Sequence, residues 1–259
     1  MLHTFWQISF FCLILCSEIT KNGFMKRVVL ILCALMCSLY AIAQEPETPR
    51  SNPIKDFLSS FTAINVDAPV KLELIKIGAD EAPYIIFDTK GADSKFTFEV
   101  DAKSKLLKIS ERSDPKRESI TEVKVYFSEL TDISISKAKV TVEGVIESQL
   151  LDLYISNDAH FIATVDVIDL MAFVGGKSRV MLEGKARYHS ADISASEYDA
   201  GQLEVMSTTA EAAHNAVVKV NATERLEVKT ATGGKIFYTI RPQILRSEVT
   251  LFGGEISQL

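Results

Sequence analysis

The sequence predicts an all-β protein, most of it a parallel β-helix-like solenoid. From Phe61 onward, apolar and polar residues alternate with a period of two, in short segments separated by turn residues. No segment after Ser60 keeps a helical spacing of apolar residues over three turns. In the second half, related segments recur at a nearly constant interval of about 19 to 20 residues, which is typical of one solenoid coil.

Length, composition and charge exclude several classes of protein. The 259 residues are 47% hydrophobic and 24% charged, and the formal net charge is −6. This balance excludes a disordered tail, a collagen-like fibre and a polytopic membrane protein. It also argues against nucleic acid as a partner, because a nucleic-acid binder normally carries a basic excess that neutralises phosphates.

The first 43 residues have the features of a leader. Lys26 and Arg27 precede an uncharged apolar run, 28–43, which closes with Ala41-Ile42-Ala43. This pattern predicts a signal peptide over residues 25–43, since the run is short for a membrane span. We interpret residues 1–24 as an over-extended gene start. A membrane hairpin is the alternative.

All cysteines lie in this predicted leader, at positions 12, 16, 33 and 37. The predicted mature chain, from about Gln44, therefore has no disulfide framework, thiolate nucleophile or cysteine metal site. Its 25 basic and 33 acidic residues give a net charge of −8. We expect an acidic, exported and soluble protein with no membrane span.

The mature chain is predicted to hold one all-β domain, residues 61–259, behind a flexible linker. The linker, residues 44–60, contains three of the seven prolines among charged and polar residues. Residues 61–127 alternate as β-strands without an evident repeat. We expect this N-terminal β part either to cap a solenoid or to form a small adjoining β-sandwich.

Residues 128–259 are predicted to form the solenoid coils. Short alternating strands end at Ile135, Ile155, Val174 and Ile193, positions that are almost equally spaced along the chain. Small or polar residues follow each of them. In a solenoid, these four side chains would stack on one another inside the coils, and the small residues would let the backbone turn.

Six segments follow one another in a characteristic order: Ser60–Val66, Val70–Leu74, Phe96–Val100, Lys105–Ser110, Lys229–Tyr238 and Arg241-Pro242. Their order resembles a known family of secreted bacterial proteins common in Bacteroidetes, the "putative auto-transporter adhesin, head GIN domain" family. The resemblance covers about Phe61 to Leu259. The family's glycine-rich turns are partly kept, as in Gly175-Gly176, and partly lost, as in Ser207–Ala210. The resemblance implies a right-handed parallel β-helix-like fold and an adhesin role, with no catalytic residues to carry over.

One short motif is similar to the end of a phosphate-binding loop. Gly176-Lys177-Ser178 matches its last three positions, but Met171 stands where the loop requires glycine. The residues after it read as a strand, whereas a phosphate-binding loop opens a helix. We therefore expect a turn between coils.

No metal or cofactor site is predicted. The mature histidines, His160, His189 and His214, lack zinc-ligand spacing, and a zinc site needs three or four ligands. Stacked coils could bring them together, but we interpret them as isolated surface histidines.

The carboxylates leave one enzymatic alternative open. Glycosidases use two facing carboxylates, and the nearest pairs here are Asp80-Glu81 and Asp166 with Asp169. The sole tryptophan, Trp6, falls in the predicted leader, so the mature protein lacks the usual platform for stacking sugars. Tyrosines could substitute for it. These are Tyr154, Tyr188, Tyr198 and Tyr238.

Together these observations favour an exported, non-enzymatic binding or adhesion module whose partner is a surface glycan or protein. Two alternatives remain open. One is a polysaccharide-active enzyme on the same scaffold. The other is a structural envelope protein that self-associates as a homo-oligomer through its open coil ends. The sequence alone identifies no ligand-binding and no catalytic residues.

Overall fold

The computed structural model describes residues 53–91, 95–112, 119–250 and 252–259. They belong to a compact unit, Ser51–Leu259. The predicted gene start 1–24, the signal peptide 25–43 and most of the linker 44–60 lie outside the described residues. Among the described residues, no helix is long and apolar enough to cross a membrane.

The described residues form β-strands and no α-helix, as the period of two predicts. The strands are β1 Ile54–Phe57, β2 Ala63–Asp67, β3 Lys71–Lys76, β4 Tyr84–Asp88, β5 Phe96–Asp101, β6 Leu106–Glu111, β7 Glu122–Phe127, β8 Asp132–Ser136, β9 Lys139–Ser156, β10 His160–Val174, β11 Arg179–Ser194, β12 Glu197–Ala213, β13 Val217–Val220, β14 Ala222–Thr230, β15 Lys235–Tyr238, β16 Ile244–Val249 and β17 Ile256–Gln258.

The strands wind into a parallel β-solenoid with coils of about 19 residues, which confirms the predicted fold class. Three parallel ladders form its faces. Face A contains β6, β2, β8, residues 150–156, 169–174, 188–194 and 207–213, β14 and β16. Face B contains β7, β3, residues 139–143, 160–162, 179–181 and 197–199, β13, β15 and β17. Face C contains residues 145–148, 164–167, 183–186 and 202–205.

The inner columns of face A show why the repeat stacks. Ile135 pairs with Ile155, Ile155 with Val174, and Val174 with Ile193, so the four predicted positions form one buried column. Adjacent coils lie about 4.8 Å apart, which brings these aliphatic side chains into contact. Burial of this apolar surface is the main stabilising term of the coil stack.

The N-terminal strands do not form a separate part in front of the coils. β2 and β3 lie between the coil of β6 and β7 and the coil of β8 and β9, so the coils stack out of chain order. Strands β2, β3, β6 and β7 therefore supply coils of the solenoid itself. The cap consists of β4, antiparallel to β7, and β5, antiparallel to β6. These two strands satisfy the backbone groups that the first coil would otherwise leave unpaired.

The predicted linker also contains a strand. Residues 54–57, inside the expected flexible segment 44–60, form β1 and pair antiparallel with β4. The side chains of β1 are exposed, so the strand has no buried apolar pattern for sequence reasoning to detect. Backbone pairing and contacts with Tyr84 hold it, including the ammonium of Lys55 3.7 Å from the Tyr84 ring centroid.

The turn between faces A and B repeats one backbone conformation. Lys137, Asn157, Lys177, Ala195, His214 and Thr232 all have φ between 48° and 67° in successive coils. Among the described residues, only Gly176 and Gly233 supply glycine to this column at positive φ. The turn is thus specified by its place in the stack, because hydrogen bonds such as Lys177 N–H to Ala195 C=O link each turn to the next.

Candidate binding surface

The outer side of face A carries a patch of large apolar side chains, which we call the aromatic platform. It consists of Leu150, Tyr154, Met171, Phe173 and Tyr188, in three successive coils. The rings of Tyr154 and Phe173 are stacked with centroids 5.1 Å apart and an angle of 5° between their planes. Their exposed fractions are 44% and 41%. These exposed rings make the outer side of face A a candidate binding surface.

The coil register and the strand alternation create this platform. Tyr154 pairs with Phe173 across the parallel ladder, and their neighbours Leu153 and Ala172 point into the core. Side chains two residues apart along a strand lie on the same side. Leu150 therefore shares the outer side with Tyr154, as does Met171 with Phe173.

Carboxylates are interspersed with the platform. Asp152 lies between Leu150 and Tyr154 on β9, and Asp192 is the register partner of Phe173. The Oδ1 atom of Asp152 is buried and has no hydrogen-bond partner. Burial, with a smaller contribution from the charge of Asp132, raises the pKa of Asp152. The patch thus combines flat apolar rings with hydrogen-bond acceptors.

A groove of about 350 Å³ lies on the outer side of face B. Exposed Ile162 and Met181 line it together with charged side chains that pair with each other. Arg179 Nε lies 3.1 Å from Glu197 Oε2, and Lys219 Nζ lies 2.7 Å from Asp199 Oδ2. Because these charges are already compensated, the groove presents little free charge to a ligand.

The three histidines do not converge. His160 lies in the groove on face B, and His214 lies in a turn, where its Nδ1 is 3.0 Å from Ser194 Oγ. His189 points into the core. In the described part of the chain, no three His, Cys, Asp or Glu side chains are grouped so that they could hold a metal ion.

His189 corrects the expectation of surface histidines. Its Nε2 lies 2.7 Å from the hydroxyl of Tyr198, and both side chains are buried. Burial lowers the pKa of His189 to about 4 and raises the pKa of Tyr198. The Nδ1 atom of His189 and the Oγ1 atom of neighbouring Thr208 have no partner. The pair therefore belongs to the core, not to a binding surface.

The carboxylate pairs are also separated. Asp166 is on face C and Asp169 on face A, so the two point in different directions. Asp80 and Glu81 are exposed in the turn after β3, where Glu81 accepts a hydrogen bond from the Gly78 amide. No facing pair of the glycosidase type forms from these four residues.

The motif similar to a phosphate-binding loop is a turn between coils, as predicted. Gly176 and Lys177 have φ of 67° and 65°. The Ser178 hydroxyl donates to the Gly175 carbonyl at 2.7 Å, which closes the turn. A strand, β11, follows it.

Two of the four tyrosines named as substitutes for tryptophan are available to a ligand. Tyr154 and Tyr188 are exposed in the aromatic platform, whereas Tyr198 is buried and Tyr238 packs against the core. Sequence reasoning missed Phe173. It lies one coil length after Tyr154 in the chain, so the repeat itself contained the signal.

Comparison with known proteins agrees with this architecture. The model of the family described as "Putative auto-transporter adhesin, head GIN domain" matches residues 60–242. No curated protein sequence matches the chain.

Several solved structures share the fold. A putative adhesin from Bacteroides fragilis NCTC 9343 is 16% identical, with 81% of this chain and 97% of that one covered and a TM-score of 0.73. A putative adhesin from Parabacteroides distasonis ATCC 8503 is 15% identical over 81% and 97% of the two chains, with a TM-score of 0.64. A "Putative lipid binding protein" from the same organism is 17% identical over 81% and 98%, with a TM-score of 0.55.

These neighbours establish the fold, and two of them are named as putative adhesins. The family model covers most of the chain and includes the strands from β2 to β15. The predicted membership is therefore confirmed. The chain belongs to the "putative auto-transporter adhesin, head GIN domain" family.

Proposed function

We propose that this protein is an exported, non-enzymatic binding module that holds a surface polysaccharide on its aromatic platform. The observation that carries the proposal is the nearly coplanar stack of Tyr154 and Phe173 on the outer side of face A. The two rings present a flat, exposed apolar surface that a partner can cover.

The chemistry of a sugar chain fits this patch. A pyranose ring has an apolar face that packs on an aromatic ring and hydroxyl groups at its edge. Asp152 and Asp192 provide acceptors for those hydroxyls beside the rings. The coils repeat about every 4.8 Å, which is close to the length of one sugar unit, so successive units can meet successive coils.

The proposal favours binding over hydrolysis because neither carboxylate pair that the sequence singles out, Asp80-Glu81 or Asp166 with Asp169, forms a facing acid–base pair. The groove on face B is the second candidate surface, since it also exposes apolar side chains. The likeness to a protein named as lipid binding rests on the fold alone.

Truncation of the stacked rings tests the proposal. We expect Tyr154→Ala and Phe173→Ala each to weaken binding to the best polysaccharide of a bacterial and host panel by about tenfold or more, because each removes half of the stack. Isothermal titration with the purified full chain measures the change. Thermal unfolding should change only slightly, because both rings lie outside the core and an aromatic cross-strand pair contributes no more than about 1 kcal/mol. The bound polysaccharide should not be shortened on incubation.

The matched control is on the other face. Ile162→Ala and Met181→Ala remove apolar side chains of similar exposure from the groove on face B. We expect both to bind as the wild type does. Loss of binding in these variants, with the platform variants unaffected, would move the site to the groove and refute the platform.

The same proposal places the protein at the cell surface. The predicted signal peptide and the acidic mature chain support export. We expect protease added to intact cells to remove the protein, as detected with an antibody to residues 61–259. Protection until the envelope is permeabilised would locate it in the periplasm and contradict the adhesion role.

A further inference from the structure

The last coil of face A ends in an unpaired strand edge. β16 pairs with β14 on one side, and none of the described strands pairs with its other side. All six of its residues are exposed, including the inward-facing Leu245 and Val249, at 38% and 56%. Ile240, Ile244 and Phe252 add exposed apolar surface in the same coil. Such an edge is a template for another strand.

Along β16, the backbone N–H and C=O groups of successive residues point alternately toward β14 and toward the open edge. The Thr250 amide donates to the Thr230 carbonyl at 3.0 Å, so even-numbered residues direct their N–H groups toward β14. The N–H and C=O groups of residues 245, 247 and 249 then face outward. Ser247 is the central one.

We propose that β16 pairs antiparallel with β16 of a second copy of this chain, centred on Ser247, to give an end-to-end dimer. This register places Arg246 opposite Glu248 of the second copy, and Glu248 opposite its Arg246. It also places Leu245 opposite Val249 on the inner side. The Ser247 residues form the central hydrogen-bonded pair, as their outward backbone groups require.

No other register satisfies both sides of the strand. The two cores become continuous only if inward-facing residues meet inward-facing residues, which requires the centre of pairing to lie on a residue and not between two residues. Centring on Arg246 or on Glu248 places that charge opposite itself, and directly opposed like charges destabilise a strand pair. Centring on Leu245 or on Val249 leaves half of the strand without a partner.

The charged side chains on β14 and β16 do not all form one-to-one ion pairs within a single chain. Glu227 accepts hydrogen bonds from both Arg225 and Arg246, so two guanidinium groups share one carboxylate. Glu248 has no ion pair with any other described residue. The second copy would supply Glu248 to Arg246 and complete both sets.

The dimer goes beyond the proposed polysaccharide binding. Pairing through β16 joins face A of one copy to face A of the other, so two aromatic platforms lie on one continuous outer side. A polysaccharide with repeated units could then engage both copies, which raises its apparent affinity without new contacts.

Charge exchange across the edge tests the dimer. Sedimentation velocity of the purified full chain over a range of concentrations should show a reversible monomer–dimer equilibrium. We expect Arg246→Glu and Glu248→Arg each to raise the dissociation constant at least about tenfold, because each places like charges opposite one another. The double variant R246E/E248R restores opposite charges and should recover the dimer.

A backbone variant provides an independent test. Ser247→Pro removes an N–H group that points to the open edge, so β14–β16 pairing survives and the variant should unfold at nearly the wild-type temperature. It should be monomeric and should still bind polysaccharide on the platform. A wild-type chain that stays monomeric at all concentrations refutes the proposal. So does a double charge exchange no better than the single ones, which would indicate a different contact or occupant.

Discussion

Replacement of Gly184 by alanine is expected to destabilise the solenoid by roughly 3 to 5 kcal/mol, from a strained backbone and an overpacked contact together. Gly184 has φ of 108°, which side chains disfavour, and a Cβ there would lie 2.1 Å from the Val165 carbonyl oxygen. That oxygen belongs to the adjacent coil of face C. Urea unfolding of the wild type and the variant, monitored by circular dichroism, measures the difference in the free energy of unfolding.

Alanine substitutions at two other glycines distinguish the cost of backbone strain from the cost of a steric clash. Gly91 has φ of 88°, and no described atom lies within 4 Å of the place that a Cβ would occupy. Gly91→Ala should therefore cost only the strain, about 1 kcal/mol. For Gly175, the nearest atom to an added Cβ is 3.9 Å away at an ordinary φ, so Gly175→Ala should be close to neutral. If Gly184→Ala cost no more than Gly91→Ala, the close coil approach at Gly184 would be wrong.

The buried histidine should make the protein lose stability in mild acid. In the unfolded chain His189 has an ordinary pKa near 6.5, whereas burial lowers its pKa to about 4 in the folded state. Between these values the unfolded state binds a proton that the folded state does not. The free energy of unfolding therefore falls as the pH falls from 6.5 to 4, by about 3 kcal/mol in total, and this contribution is constant outside that window.

The residues around His189 carry no charge of their own, so this pH dependence can be assigned to His189. Tyr198 from β12 is its hydrogen-bond partner, and its column neighbours, Leu170 and Thr208, carry no charge. His189→Gln can keep a hydrogen bond to Tyr198 but cannot titrate, so we expect it to lose most of the acid dependence. His160→Gln, on the outer face, should keep it. Urea unfolding at several pH values measures the slopes. A wild-type curve that is flat between pH 6.5 and 4 would contradict a buried neutral His189.

The coil repeat was predictable because it is local. An inward residue must be apolar in every coil, and the coil length is constant, so Ile135, Ile155, Val174 and Ile193 mark the stack in the chain itself. The place of the N-terminal strands in the stack was not predictable from the sequence. β2 and β3 alternate as any half-buried strand does, and nothing in their pattern reveals that they insert between two later coils.

The candidate surface was predictable only in part. Tyr154 and Tyr188 were named among four tyrosines that could stack on sugars, but the sequence did not distinguish them from the others, and Phe173 reads as one more apolar residue in an apolar strand. Tyr198 is the same residue type as Tyr154 but points inward, where its hydroxyl forms a hydrogen bond with Nε2 of His189. Which side of a strand a ring occupies follows from the register, and a shift of one residue would exchange the two sides.

By itself, the sequence determined that the protein is all-β, that its coils have a nearly constant length and which aliphatic column they share. Period and spacing along the chain carry this information because each coil repeats the same inward positions. Only the tertiary structure decided the stacking order of the coils and the open edge at β16. These depend on pairing between residues far apart in the chain, which no local pattern records.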